Sequence, residues 1–264
     1  MRRVMLLCCA LLIMASIVAA EPGRPTAQEN IKTVNHAFAP GEKLTYSISW
    51  STVIEAGIAV MEVQQGKTIN GRPTYNLYSN TRSVGVVDLL FPVRDAVESI
   101  VDADDLYSLS FHLRESHGKK QRQRNMTYDR ASGTVQVDVN NGAPETYCVP
   151  DRIQDALSSL YYLRTRQDFT TGKTIVENVH DGDKTWAVEV HVMDKERIKT
   201  PAGEFDTIKV RTYPKYEGVF MHKGEIYIWL TDDARKIPVL MKSEISIGSI
   251  VATLTTMQGG NSKP

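Results

Sequence analysis

The stretch Gly224–Leu254, GEIYIWLTDDARKIPVLMKSEISIGSIVATL, restricts the fold more than any other part of the chain. Two apolar, β-branched runs flank the polar segment Thr231-Asp232-Asp233-Ala234-Arg235-Lys236, which is the pattern of a long antiparallel hairpin. In the first arm Ile226, Ile228 and Leu230 fall on one face and Tyr227 and Trp229 on the other, so neither face suits open water and the arm is expected to be a central strand. In the second arm Ile237, Val239, Met241 and Ile245 alternate with Lys242 and Glu244 until Gly248 breaks the run.

The same period-two alternation recurs along the chain. Leu44, Tyr46, Ile48 and Trp50 alternate with small polar residues, as do Tyr107, Leu109, Phe111 and Leu113, and then Trp186, Val188, Val190 and Val192. The apolar run Val84–Val93 ends at a proline and is read as a short helical turn or a loop tucked under the sheet. One amphipathic helix is expected over 151–166. Asp151 is its N-cap, Gln154 stands three residues on, and Ile153, Ala156, Leu157 and Leu160 form the apolar face. At least ten strands and this helix predict a mainly β fold: an antiparallel curled sheet, a β-roll or partly closed barrel, with one helix of about 15 residues packed on it.

The chain begins Met1-Arg2-Arg3, continues as an apolar run from Val4 to Val18, and reaches Ala19-Ala20 before Glu21-Pro22-Gly23. That is the layout of a secretory signal peptide cut after Ala20, too short for a spanning helix. The expected organisation is a signal peptide at 1–20, a flexible leader at 21–37, a single β-rich domain at 38–257 and a flexible tail at 258–264, with the mature protein in the periplasm or cell envelope. The signal carries Arg2 and Arg3 and no acid, so 29 of the 31 basic residues remain against 31 acids. A balance of that kind offers no field for nucleic acid. Of the three cysteines only Cys148 lies outside the signal, so no intrachain disulfide is expected, and Cys148 itself reads as a small buried thiol.

Several stretches together resemble domain-of-unknown-function family 3108: Phe38-Ala39-Pro40-Gly41-Glu42-Lys43-Leu44-Thr45-Tyr46, Gly57, Asp155-Ala156-Leu157-Ser158-Ser159-Leu160-Tyr161-Tyr162-Leu163-Arg164, Lys199–Asp206 and Trp229–Pro238. The resemblance spans about residues 38–256 and implies an exported bacterial envelope protein with a β-roll-like fold. It brings no catalytic residues. A looser likeness to periplasmic lipoprotein carriers rests on architecture alone.

Candidate chemistry is sparse. Ser116-His117-Gly118-Lys119 matches S-x-x-K, but Gly118 within a polar turn cannot hold the helical geometry that pattern needs. His180-Asp181-Gly182-Asp183 and Asp102-Ala103-Asp104-Asp105 lack metal-loop length and spacing and read as turns, so no metal and no cofactor are expected. The run Lys119–Arg124 reads as a solvated hairpin tip, or as an acid-binding patch if strand pairing gathers it with Arg114 and Arg130. A hydrolase of peptidoglycan or exported polysaccharide would need paired carboxylates; Asp232 and Asp233 are adjacent and cannot oppose each other, which leaves Glu225 or Asp206. The preferred expectation is a non-enzymatic binding or scaffold module. Trp50, Trp186 and Trp229 would share a concave face with Leu157 and Tyr161 of the helix, forming a cleft for a lipid, an acyl chain or a glycan. A partner protein of the envelope is the other expected occupant.

Overall fold

The computed structural model describes residues 35–51, 53–214, 225–245 and 248–259; the segment read as an export signal and most of the leader lie outside these residues. Eight strands come first: β1 (Lys43–Trp50), β2 (Ile54–Gln65), β3 (Thr74–Ser83), β4 (Val93–Asp102), β5 (Ser108–His117), β6 (Lys120–Asp129), β7 (Thr134–Val139) and β8 (Glu145–Cys148). Six follow: β9 (Thr174–Asp181), β10 (Lys184–Thr200), β11 (Gly203–Pro214), β12 (Ile226–Thr231), β13 (Pro238–Ile245) and β14 (Gly248–Gln258). Helix α1 (Gly85–Leu90) joins β3 to β4, and α2 (Ser158–Thr165) lies between β8 and β9.

All fourteen strands form one antiparallel sheet in the order β8-β7-β6-β5-β4-β3-β2-β1-β14-β13-β12-β11-β10-β9. The first and last strands therefore pair in the middle, Tyr46 opposite Leu254 and Ile48 opposite Ala252. Both edges are mid-chain strands. The hairpin at the C-terminal end is internal, as its apolar faces require: β12 pairs with β11 on one side and β13 on the other. Gly57 on β2 is fixed by close approach, because a Cβ there would come 2.6 Å from the Arg82 carbonyl oxygen on β3.

The sheet curls. Arg124 on β6 forms an ion pair with Asp181 on β9, although ten strands lie between β6 and β9 through the sheet. The concave face is the core: Leu44, Tyr46, Leu77, Met126, Val210 and Leu230 are almost wholly buried. Each such side chain contributes about 1.5–3 kcal/mol relative to exposure.

The chain between β8 and β9 has to run from one edge of the sheet to the other, and it does so across one end of the roll. Its residues 153–155 cover the edge of β9: Gln154 N–H donates to the Asn178 carbonyl at 3.0 Å, and His180 N–H donates to the Gln154 carbonyl at 2.8 Å. On the other side Ser108 N–H donates to the Ile153 carbonyl at 3.1 Å. This parallel bridge satisfies backbone groups that an open edge would leave exposed. It also prevents residues 151–157 from being helical, so the helix has 8 residues instead of about 15 and Asp151 is not its cap. Asp155 caps it, its Oδ1 accepting from the backbone N–H groups of Leu157 at 2.9 Å and Ser158 at 2.8 Å. The Val84–Val93 run forms the helical turn α1 rather than a loop under the sheet, and none of its six residues is buried.

Candidate functional site

The closed end of the roll gathers most of the stretches that carried the family resemblance; Gly57 lies at the other end, opposite Ile48. Arg164 of α2, almost fully buried, donates from Nη1 to Glu42 Oε1 at 2.7 Å and from Nη2 to Glu42 Oε2 at 2.8 Å. It also donates to the carbonyls of Ala37 at 3.1 Å and Arg235 at 3.1 Å. A bidentate pair with a partner for every guanidinium nitrogen is what a buried arginine needs. Phe38 packs edge-on against Tyr161 at 5.0 Å, and Tyr46 Oη donates to the Pro238 carbonyl at 2.9 Å. At the start of the helix the Asp155 carboxylate accepts from Ser99 Oγ at 2.6 Å and Ser108 Oγ at 2.7 Å; burial raises its pKa, and the hydrogen bonds from Ser158, Ser99, Ser108 and Leu157 oppose that rise. These contacts pin the plug; they present no reactive group to solvent.

Of the five residues proposed for an aromatic cleft, Leu157 and Tyr161 are buried in the core beneath this plug. Trp229 has other neighbours. It stands opposite Lys209 on β11 and Leu240 on β13, donates from its ring N–H to Glu196 Oε1 at 2.6 Å and carries the Lys209 ammonium 4.8 Å from its ring centre. Trp50 lies at the opposite end of the roll, opposite Ile54 and Ile250. Trp186 pairs with Val179 on the edge strand and lies beneath the Lys184 ammonium, 5.8 Å from its ring centre.

Three of the carboxylates considered for hydrolysis, Asp232, Asp233 and Glu225, serve local structure. Asp233 Oδ1 accepts from Thr231 Oγ1 and from the N–H groups of Arg235 and Lys236; Asp232 pairs with Lys195 at 2.6 Å; Glu225 accepts from Tyr227 Oη at 2.7 Å. Asp102 holds Arg72 and accepts from the N–H groups of Asp104 and Asp105, as a turn residue does. Cys148 is exposed rather than buried, because β8 is an edge strand. The basic patch does not assemble. Arg114 pairs with Gln123, so it lies on the face opposite Arg122 and Arg124; Arg124 is buried against Asp181, and Arg130 pairs with Asp105 and Asp151.

A different basic constellation forms on the outer face. Register places Arg82 directly opposite Arg94, and Ala96 directly opposite Arg114, with Ile58 and Val60 continuing the two rows on β2. Like charges directly opposite each other on neighbouring strands are unfavourable. The three guanidinium-bearing side chains border an open groove of about 460 Å³ with Ile58, Val60 and Ala96 in its lining. Arg94 is paired with Asp88 of α1 at 2.6 Å; Arg82 and Arg114 make no ion pair among the described residues. Helix α1, joined to the groove by the Arg94–Asp88 pair, lies against β2 and exposes Val86, Leu89 and Leu90, the last two at 82% and 77%. Val53, 84% exposed, and Ile54 extend the apolar rim at the same end. In the sequence Arg82 and Arg94 each sit alone in their own strand and Arg114 was grouped with the Lys119–Arg124 run; only the register brings the three together.

A family model described as "Protein of unknown function (DUF3108)" matches residues 45–255. No curated protein matches the chain. Among solved structures, the β-barrel-like protein of domain of unknown function DUF1849 from Brucella abortus is similar at a TM-score of 0.56 with 13% identity, over 83% of this chain and 97% of that one. Two more cover similar shares at lower likeness. A protein from Bacteroides fragilis, provisionally described as exported and with a YmcC-like fold, has a TM-score of 0.33 and 15% identity over 84% of this chain and 98% of that one. A provisional lipoprotein from Parabacteroides distasonis has a TM-score of 0.37 and 11% identity over 85% and 98%.

Proposed function

Because the chain belongs to the DUF3108 family of proteins of unknown function, its function has to be argued from its own surface, and we propose that it is an exported, non-enzymatic envelope protein that binds phospholipids of net negative charge. The observation that carries this reading is the pairing of an arginine-bordered groove with an exposed apolar rim. Arg82, Arg94 and Arg114 border the groove, and Val53, Val86, Leu89 and Leu90 project beside it. Arginine is suited to phosphate because its planar fork can donate two hydrogen bonds at once, and unpartnered apolar side chains of this size gain by entering an acyl layer. Asp88 pairs with Arg94, while Arg82, directly opposite on β3, and Arg114 keep donors that an added phosphate can take up. Export is supported by the layout of residues 1–20.

The test is sedimentation with vesicles of phosphatidylglycerol and of phosphatidylcholine, using protein recovered from the envelope fraction with Glu21 as its first residue. Binding is expected only to the anionic vesicles and to weaken as salt rises. Arg82→Gln with Arg114→Gln should weaken it at least about tenfold, and Leu89→Asp should weaken it comparably, both without loss of thermal stability because these side chains are exposed. Equal binding to the two vesicle types, or none to either, overturns the proposal.

A further inference from the structure

The open end of the roll carries a second constellation on the other face of the sheet. Asp95 on β4 is directly opposite Glu115 on β5, and His117 is two residues further along β5, so strand periodicity puts all three side chains on one face. Each offers one ligand atom, and the three atoms lie within 4.8 Å of one another. His117 Nε2 is 2.9 Å from Asp95 Oδ1. Glu115 is the informative member. It is only 8% exposed, yet its carboxylate makes no hydrogen bond and no ion pair among the described residues. Register sets Glu115 between Asp95 on β4, itself 9% exposed, and the exposed Arg122 on β6, and the two facing carboxylates repel.

We infer that Asp95, Glu115 and His117 bind a divalent transition-metal ion, with zinc the best match. A cation at this point would neutralise the two opposed carboxylates and give Glu115 the partner it lacks. One imidazole nitrogen with two carboxylate oxygens selects against magnesium and calcium, which prefer oxygen alone, and suits zinc. Three protein ligands leave the fourth tetrahedral position to water or to a ligand atom. Glu115 and His117 lie on the face of β5 opposite Arg114, and Asp95 is the one residue that also borders the groove, so zinc binding is read separately from vesicle binding.

The experiment uses the untagged full-length protein, stripped with a chelator and titrated calorimetrically with zinc chloride, with cobalt(II) as a spectroscopic substitute. One ion per chain, a rise in melting temperature with zinc and visible absorption typical of tetrahedral cobalt are expected. Glu115→Gln and His117→Gln should each weaken binding at least about tenfold. Glu115→Gln without metal should melt no lower than the stripped wild-type protein, since it removes the repulsion, which keeps the test valid against simple misfolding. Binding weaker than about 100 μM, or binding unchanged in both variants, overturns the inference.

Discussion

Glu177 on β9 is buried, and its Oε1 has no hydrogen-bond partner among the described residues. Burial pushes its carboxyl up to about 8 from an ordinary 4.5, with Arg166 pulling the other way and Asp168 adding to the rise. His180, three positions along the same strand, is forced by burial down to about 4 from 6.5. The two act on stability in opposite directions. Glu177 prefers its neutral form in the folded chain, so its favourable contribution is complete below about pH 4.5 and is lost as pH rises through 8. His180 prefers its neutral form too, so its contribution is complete above about pH 6.5 and is lost as pH falls through 4. At roughly 1.4 kcal/mol per unit, the Glu177 loss is bounded at about 5 kcal/mol. Glu177→Gln should therefore match the wild-type protein near pH 4.5 and exceed its stability by several kcal/mol at pH 9, measured by denaturant unfolding across that range. An unchanged pH slope in the variant would show that Glu177 is hydrated in solution. His180 was read as part of a turn rather than as a buried imidazole, and Glu177 gave no signal at all: a glutamate in an alternating strand reads as solvent-facing, and only the curl of the sheet buries it.

At the scale of the element, the hairpin of β12 and β13 was legible because alternation on both faces needs no knowledge of the rest of the chain. Its tryptophan was legible as buried but not as placed. Trp229 faces Lys209 and Glu196 rather than a shared aromatic cleft, a consequence of the pairing with β11 that composition cannot disclose. Trp229→Ala should cost about 3–5 kcal/mol through the cavity and the lost hydrogen bond, while Lys242→Ala, whose ammonium pairs among the described residues with neighbouring Glu244 at 2.9 Å, should be close to neutral. Equal shifts in melting temperature for the two would mean that β12 is misregistered. Helix α2 was legible in existence and not in length. Gln154 was read as part of a capping pattern, whereas its backbone bridges to β9 and its side-chain amide donates to the Leu106 carbonyl at 2.7 Å. Edge pairing outweighed helical propensity because an uncovered β9 would leave its backbone groups without partners.

For the whole molecule, the strands were readable one by one and their order was not. The pairing of β1 with β14 joins residues some 200 positions apart, and no local pattern encodes it. That pairing decides everything at the ends: it makes β8 and β9 the edges, sends the α2 segment across the roll, and brings Arg124 to Asp181. Arg124 was read as a solvated hairpin residue, and the curl converts it into the tie between the two halves of the seam. Its side chain is 5% exposed and that of Asp181 13%, so the pair is largely desolvated and removing one partner leaves the other stranded. Burial already raises the Asp181 carboxyl against the pull of Arg124, and without Arg124 the acid can relieve part of the penalty by taking a proton. The expected cost of Arg124→Met is about 3 kcal/mol. The loss should also be local. Amide exchange should accelerate first in β9 and residues 153–155, which the seam holds, while β1 and β14 at the centre of the sheet keep their protection. Arg122→Met, two residues away and exposed, is the control and should leave the exchange pattern unchanged. Uniform acceleration across all strands would show that the roll opens as one unit, and the tie between β6 and β9 would then have no separate role in holding its edges together.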